Sequence, residues 1–434
     1  MRVAIAGAGI GGLTTALSLH AAGIRDVAVY ESVTELRPLG VGINLLPHAV
    51  RELTELGLGD ELSKLGVATS RLTYFNRFGQ EIWSEPRGID AGYRWPQYSV
   101  HRGELQMLLR DAVERALPGS IVLGSTVRSA NPSATPAGGE DVVLRSHDGG
   151  ERVVHADVVV GADGIHSTLR ARRYPDQGDP VWNGLMLWRG TAWVKPFLDG
   201  RTMIMAGDGQ QKFVAYPLSG TMDDGDHRGL VRLNVIAERR VLDDGPGENS
   251  WTHSVDPVEV AREFRDWDFG WLDVPATIAS ATQLLRYPMV DRNPVARWTF
   301  GHQTLLGDAA HPMYPIGSNG ASQVIIDART LARELATAET AAEALSRYEA
   351  ARLPLTSALT LSNRELGPER VMQLAFERAP EGFSHIHDVV SPDELSSIAA
   401  RYKQAAGFAP ELLNERESLS VRRIRRNGEK VTNT

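Results

Sequence analysis

Cysteine is absent from the 434 residues, which excludes disulfides, thiolate metal sites and a thioether link to a cofactor. The absence suits a reducing compartment, and the cytoplasm is the expected location. Long apolar runs are missing as well. None approaches the ~20 residues of a membrane-spanning helix, so no membrane partner is expected. The first residues already read as a strand, so no signal peptide is expected ahead of the fold. Basic residues are in deficit, 46 Lys plus Arg against 54 Asp plus Glu, and a net charge of −8 argues against nucleic acid as a partner. The one basic cluster, Arg422, Arg423, Arg425 and Arg426, reads as a solvated tail. No Ser-His-Asp arrangement stands out. The 12 histidines are scattered, and His302 and His311 make a poor ligand pair, so no metal is expected. There is no internal repeat and no low-complexity linker.

What is present is a series of glycine turns, each following a strand. The chain opens MRVAIAGAGIGGLTTALSLHAAGIRDVAVYES. Val3 to Ala6 reads as a buried strand, Leu13 to Ala22 as a helix and Val27 to Tyr30 as a second strand. Between them Gly7, Gly9 and Gly12 form G-x-G-x-x-G, and Glu31 ends the second strand. This strand–turn–helix–strand context makes the glycine pattern a dinucleotide site. Gly7 allows the turn, Gly9 lets backbone approach a pyrophosphate, and Gly12 lets the helix pack on the sheet. The helix start offers free N–H groups to phosphate. Glu31 can accept hydrogen bonds from both hydroxyls of an adenosine ribose and would repel a 2′-phosphate. That points to FAD or NAD rather than NADP.

The length suggests roughly two to three domains. Helix patterns follow at Ala49–Leu56 and Gly103–Leu117, and strand patterns at Ile121–Leu123, Asp141–Leu144, Arg152–Val154 and Ala156–Ala162. From about Val181 to Arg286 the texture changes. Strands at Leu185–Trp193, Thr202–Met205, Lys212–Tyr216 and Leu230–Ala237 follow one another without helices, which predicts an antiparallel sheet. Leu72–Glu85 reads as a hairpin around Arg77-Phe78-Gly79. The expected fold is α/β: a Rossmann-like nucleotide-binding domain at 1–70, 100–178 and 287–345, and an inserted β-rich substrate domain at 71–99 and 179–286. A helical region with a charged tail follows at 346–434.

Two later turns repeat the theme. Asp163-Gly164 ends a strand, and a helix begins near Ser167; Asp163 can orient backbone or ribose groups, and Gly164 permits close approach to a nucleotide. Gly307-Asp308 ends another strand, followed by His311, Pro315, Gly317, Asn319 and Gly320 and a helix from about Ala321 to Thr337. Ligands of open α/β sheets bind at such carboxyl ends. The last helix start is placed to stabilise negative charge.

In this order and spacing the three motifs resemble the flavoprotein aromatic hydroxylases, single-component FAD-dependent monooxygenases with a glutathione-reductase-type FAD fold. The resemblance runs from Met1 to about Ala350. Several segments, among them Leu36–Asn44, Trp83–Gly88, Tyr98–Met107, Trp188–Gly190, Tyr287–Arg292 and Met313–Ser322, are similar to the phenazine-carboxylate hydroxylase branch. That branch hydroxylates N-methylated phenazine carboxylates with loss of the carboxyl group, and NADH is its reductant. The resemblance implies non-covalent FAD, NADH or NADPH as co-substrate, O2, and hydroxylation through a flavin C4a-hydroperoxide. The partner is an aromatic small molecule, and the protein is a monomer or homodimer.

The resemblance also implies roles for residues. Arg102, in Val100–Leu105, contacts FAD; Asp308 sits near its ribityl chain; Gly42 and Ile43 border its ring; Asn319, Gly320 and Ala321 face its charged edge. Pro315 shapes the oxygen-reaction side together with Gly317. His311 either holds the turn or touches the chemistry. Substrate candidates are Trp188 and Tyr216 for stacking, Arg189 for a carboxylate, and Met205, Leu187 and Tyr314 for the wall. For Trp188, Tyr216, Met205 and Leu187 core packing is an alternative, and for Arg189 a structural salt bridge. No general base is evident. A flavin-dependent N-hydroxylase or epoxidase on the same fold is the alternative function. A halogenase is disfavoured because Gly270-Trp271-Leu272-Asp273-Val274-Pro275 lacks a second tryptophan, and an NAD-only dehydrogenase leaves the two later motifs unexplained.

Overall fold

The computed structural model describes residues 1–135, 138–241 and 253–421. The arginine cluster at 422–426 lies outside the described residues. A five-stranded parallel sheet runs in the order Gln303–Leu305, Val158–Gly161, Arg2–Ala6, Asp26–Tyr30, Ile121–Val122. Its central strands are buried on both faces, which explains their unbroken apolar runs: Val3, Ile5 and Val158–Val160 are all fully buried. Helices Ile10–Ala21 and Gly320–Thr337 pack together over one face, meeting at Gly11. A Cβ there would lie 2.5 Å from the Val324 side chain. The meander Ser125–Pro132, Glu140–Ser146 and Glu151–Ala156 forms a separate three-stranded sheet.

The second large sheet has eight strands, ordered Ser254–Val255, Ala281–Asp291, Val181–Val194, Val231–Arg240, Gln211–Pro217, Thr202–Gly207, Arg71–Phe75, Glu81–Pro86. Every pairing is antiparallel except one. Thr202–Ala206 pairs parallel with Arg71–Phe75, because the hairpin that supplies the last two strands comes from a separate stretch of chain. One face packs on helices Pro257–Glu263 and Val274–Ala279 around Phe213, Phe264 and Trp267. The other face, with Leu72, Met203, Met205, Val214 and Tyr216, is covered by Val371, Met372 and Leu395 from the helices Arg370–Arg378 and Pro392–Ala405. The C-terminal helices are therefore part of the core.

Candidate active site

Two cavities of about 320 and 440 Å³ lie end to end between the sheets and share Gly9, Arg102, Ala162 and Gly164 in their walls. The larger runs along the carboxyl ends of the parallel strands, past Gly7, Glu31 and Asp163. The smaller lies between the turn at 307–320 and the covered face of the eight-stranded sheet.

The three glycines of the first turn differ in what surrounds them. Gly7 has φ +99°, and a Cβ on it would lie 2.5 Å from the Ala162 carbonyl oxygen. A Cβ on Gly12 would lie 1.9 Å from the Gly7 carbonyl oxygen. Both are compelled by protein packing. Gly9 would meet no protein atom within 4 Å, and neither would Gly164 at φ +79°. Bare backbone at these two points borders open cleft, as a pyrophosphate or nucleotide requires.

Glu31 already accepts hydrogen bonds from the backbone N–H groups of Ala8 at 2.7 Å and Val33 at 3.1 Å, and from the Ser32 hydroxyl at 2.9 Å. Oε1 takes the Ser32 and Val33 bonds, and Oε2, which accepts only from Ala8, keeps a further lone pair for a ribose hydroxyl. Asp163 is primarily an anchor. Its Oδ2 accepts from the Thr168 N–H at 2.8 Å and fixes the start of helix Thr168–Arg173, while Oδ1 is buried without a partner. Burial raises its carboxyl above the usual range.

In the smaller cavity the turn is held from behind. Gly307 (φ +61°), Gly317 (φ +68°) and Ser318 (φ +56°) are in the left-handed region. Ser318, lacking glycine's freedom, is a strained residue at the site. Gly317 does not line this cavity. It backs onto Tyr402, whose hydroxyl would be 2.1 Å from a Cβ there and donates to the Ile316 carbonyl at 3.2 Å. His311 does not line it either. Its Nε2 is 2.5 Å from Asp327 Oδ2, the same oxygen that accepts the Gly307 N–H at 3.2 Å, and Arg352 binds the other oxygen at 2.7 Å. Of the two roles open to His311, this geometry is that of a turn holder. Burial pushes Asp327 up, but His311 and Arg352 outweigh it and hold the carboxyl at about 2.

Pro315, Asn319, Gly320 and Ala321 line the cavity. Asn319 makes no side-chain cap, and a Cβ on Gly320 would meet nothing within 4 Å, so the start of helix Gly320–Thr337 opens to the cleft. Asp308 faces the open cleft from the turn Gly307–Ala309. The surrounding walls desolvate its carboxyl and raise it above the usual range, while His311 and Arg102 act against this. Ile43 lines the cavity, whereas Gly42 is buried beside it. The Gly42 N–H donates to Asn234 Oδ1 at 2.7 Å, and its carbonyl accepts from Arg189 at 2.9 Å.

Arg189, Met205, Tyr216 and Tyr314 all line this cavity. Arg189 forms no ion pair among the described residues, so the salt-bridge alternative is not what the structure shows, and its Nε is buried without a partner. Burial pushes the Tyr216 hydroxyl up to about 12 despite the neighbouring Arg189, and burial with Asp291 pushes Tyr314 to about 12. Both phenols stay neutral. Two substrate candidates take their alternative, core packing. Trp188 packs with the cluster on the far face, because alternate residues of a strand point to opposite sides and Arg189 takes the near one. Leu187 is on the near side but lies in the core, away from the cavity wall. Lys212, Glu238, Asn44 and Glu369 also line the cavity and were not anticipated. Lys212 was legible by alternation from Tyr216; Glu369 had no local signal.

Among the described residues, no group of three or more His, Asp or Glu side chains could hold a metal, and no helix is long and apolar enough to cross a membrane. Residues 1–362 match the family described as FAD binding domain. The phenazine 1,6-dicarboxylic acid hydroxylase of Lysobacter antibioticus is 48% identical over 366 residues, 84% of this chain and 89% of that one. A 3-amino-4-hydroxybenzoate 2-monooxygenase of Streptomyces platensis is 34% identical over 375 residues, 85% of this chain and 88% of that one. Among solved structures, a salicylate hydroxylase substrate complex superposes with a TM-score of 0.71 at 20% identity, covering 97% of this chain and 98% of that one. HpxO of Klebsiella pneumoniae, complexed with FAD and uric acid, gives 0.68 at 23%, covering 93% and 92%. With its glycine turns, its cleft and these relatives, the chain belongs to the FAD-binding-domain family and is an FAD-dependent aromatic monooxygenase.

Proposed function

We propose that this enzyme hydroxylates a heteroaromatic acid of the phenazine-carboxylate type, using NAD(P)H and dioxygen. The observation that carries the acid is Arg189: a cation in the cavity wall, tethered to a backbone carbonyl, with no ion pair among the described residues. A substrate carboxylate would satisfy its orphaned Nε by a charge-assisted hydrogen bond. Relatives named for phenazine dicarboxylic acid and aminohydroxybenzoate, both aromatic acids, support this reading.

FAD, when bound, supplies hydride acceptance and oxygen activation. The chain supplies position and dryness. Gly9, Gly164 and Glu31 would hold the adenosine diphosphate part, and Arg102 would meet the cofactor where the two cavities join. The helix start at Gly320 and Ala321 would face the ring edge that becomes negative on reduction. Pro315 and Ile43 would border the ring, and Tyr216 would offer a neutral aromatic face to the substrate. The segments 1–70, 100–178 and 287–345 then form the FAD domain, and 71–99 with 179–286 the substrate domain.

The test is NADH consumption by the FAD-loaded enzyme with phenazine carboxylates and simple phenolic acids, with product masses followed in parallel. A phenazine-dependent rise with one oxygen gained is expected. A product that has also lost carbon dioxide establishes decarboxylative hydroxylation. Peroxide as the sole product with every acid would overturn the substrate class.

A further inference from the structure

Three buried ionisable side chains share one wall of the catalytic cavity. Lys212 and Glu238 stand opposite each other on neighbouring strands of the eight-stranded sheet. Glu369 comes from the turn Gly367–Glu369, beyond the residues that match the family. Lys212 Nζ donates to Glu238 Oε2 at 2.9 Å and to Glu369 Oε2 at 2.5 Å, and no side chain of the three is more than 7% exposed. Behind them lies another cavity of about 210 Å³, so the trio is a partition between two chambers.

One ammonium faces two carboxylates, and with all three ionised the group carries a net charge of −1. Burial pushes the Glu238 carboxyl upward, Lys212 pulls it down, Glu369 pushes it up again, and Arg189 adds a smaller downward pull. The attraction of Lys212 is already committed to its two partners. A ligand arriving at this wall therefore meets a group of net negative charge whose own cation is fully engaged. On the same sheet face stands Arg189, close enough to lower the Glu238 carboxyl yet without an ion pair among the described residues. The other cation on the wall, Arg102, stands at the neck toward the nucleotide cavity, near enough to Asp308 to lower its carboxyl. The substrate chamber thus has one anion-binding pole and one acidic pole.

We propose that the Lys212–Glu238–Glu369 trio sets substrate charge. It accepts a hydrogen-bond donor or a positive ring atom of an aromatic acid whose single carboxylate is held by Arg189, and it disfavours a second carboxylate. This rests on the aromatic-acid reading above. A trio that merely bolts the C-terminal segment to the sheet would weaken binding of all ligands alike when altered. A charge filter changes the ratio between them.

The experiment is titration of the oxidised, FAD-loaded enzyme with phenazine-1-carboxylate and phenazine-1,6-dicarboxylate, without reductant, following the flavin visible spectrum. Unlike the relative named for phenazine 1,6-dicarboxylic acid, the native enzyme is expected to bind the monocarboxylate at least about tenfold more tightly, since like charges at this burial repel strongly. Glu369→Gln is expected to bring the ratio toward one, chiefly by tightening the dicarboxylate. Glu238→Gln serves as a second variant if the first loses FAD. Equal affinities in the native enzyme, or an unchanged ratio in a variant that retains FAD, overturn the charge filter alone. Failure of both phenazines to bind overturns the substrate reading and the filter with it.

Discussion

The two halves of the cleft are built in opposite ways. In the nucleotide half the key ligand-facing points are backbone: Gly9 and Gly164 present no side chain, and Gly7 and Gly12 exist to bring strand and helix close enough to expose that backbone. In the catalytic half the surface is made of side chains delivered from afar. Arg189, Lys212, Tyr216 and Glu238 come from three strands, Asp308 and Pro315 from a turn, and Glu369 from beyond the last family-matched residue. A surface of backbone needs only local sequence and tolerates no added atoms. A surface of side chains tolerates substitution sterically but depends on charge balance.

The largest effect is expected where that balance is buried most deeply. Asp327→Ala leaves the Arg352 guanidinium without a counter-charge and His311 without its hydrogen-bond partner, and should cost on the order of 3–5 kcal/mol, read from chemical unfolding of the holoenzyme. The native protein should show the same dependence on pH. The folded carboxyl is held at about 2, below its ordinary value of 3.8, so its stabilisation is fully present above the unfolded value and is lost as pH falls through the folded one. It amounts to roughly 2 kcal/mol. An acid-stability curve flat down to that range would break the assignment.

Next comes a pair that contrasts two glycines of one turn. Gly12→Ala forces a Cβ against the Gly7 carbonyl and should destabilise even the apoprotein by about 3 kcal/mol. Gly9→Ala adds an atom where no protein atom is near, so apoprotein stability should hold while FAD affinity falls about tenfold or more. Equal loss of apoprotein stability in both would erase the distinction between packing glycine and ligand glycine.

Arg189→Ala should raise KM for phenazine-1-carboxylate by roughly 10- to 100-fold, the loss of one charge-assisted pair, and leave neutral phenazine near its native value. Equal effects on both would remove the carboxylate role. The smallest change is Tyr402→Phe, which deletes a hydroxyl bonded to Ile316, Asn319 and Asn363. About 1 kcal/mol of turn stability is at stake. A few-fold slower flavin reduction and a shifted flavin spectrum are expected, and an unchanged spectrum would deny Tyr402 any hold on the turn.

The same contrast explains what could be read in advance. Gly7 to Glu31, Asp163-Gly164 and Gly307-Asp308 were legible because strand, turn and helix lie consecutively and each residue's task is local. The strand series from Val181 was legible by alternation, yet alternation alone did not say which face is which, and so left Trp188 between stacking and core packing. His311 appeared beside the chemistry because its partner Asp327 lies a full helix start away and carries no motif. Glu369 and Tyr402 were out of reach altogether, since their importance comes from where two later segments dock.

That docking has a consequence for how the enzyme is made. Residues 1–362 leave the ribosome before Glu369 and Tyr402 do. A nascent polypeptide can thus assemble its nucleotide fold while one wall of the substrate chamber is still missing and the turn at Gly317 has nothing behind it. Finishing the site is a late event in biosynthesis, because the helices that cover the substrate face of the eight-stranded sheet are among the last parts of the chain to be made.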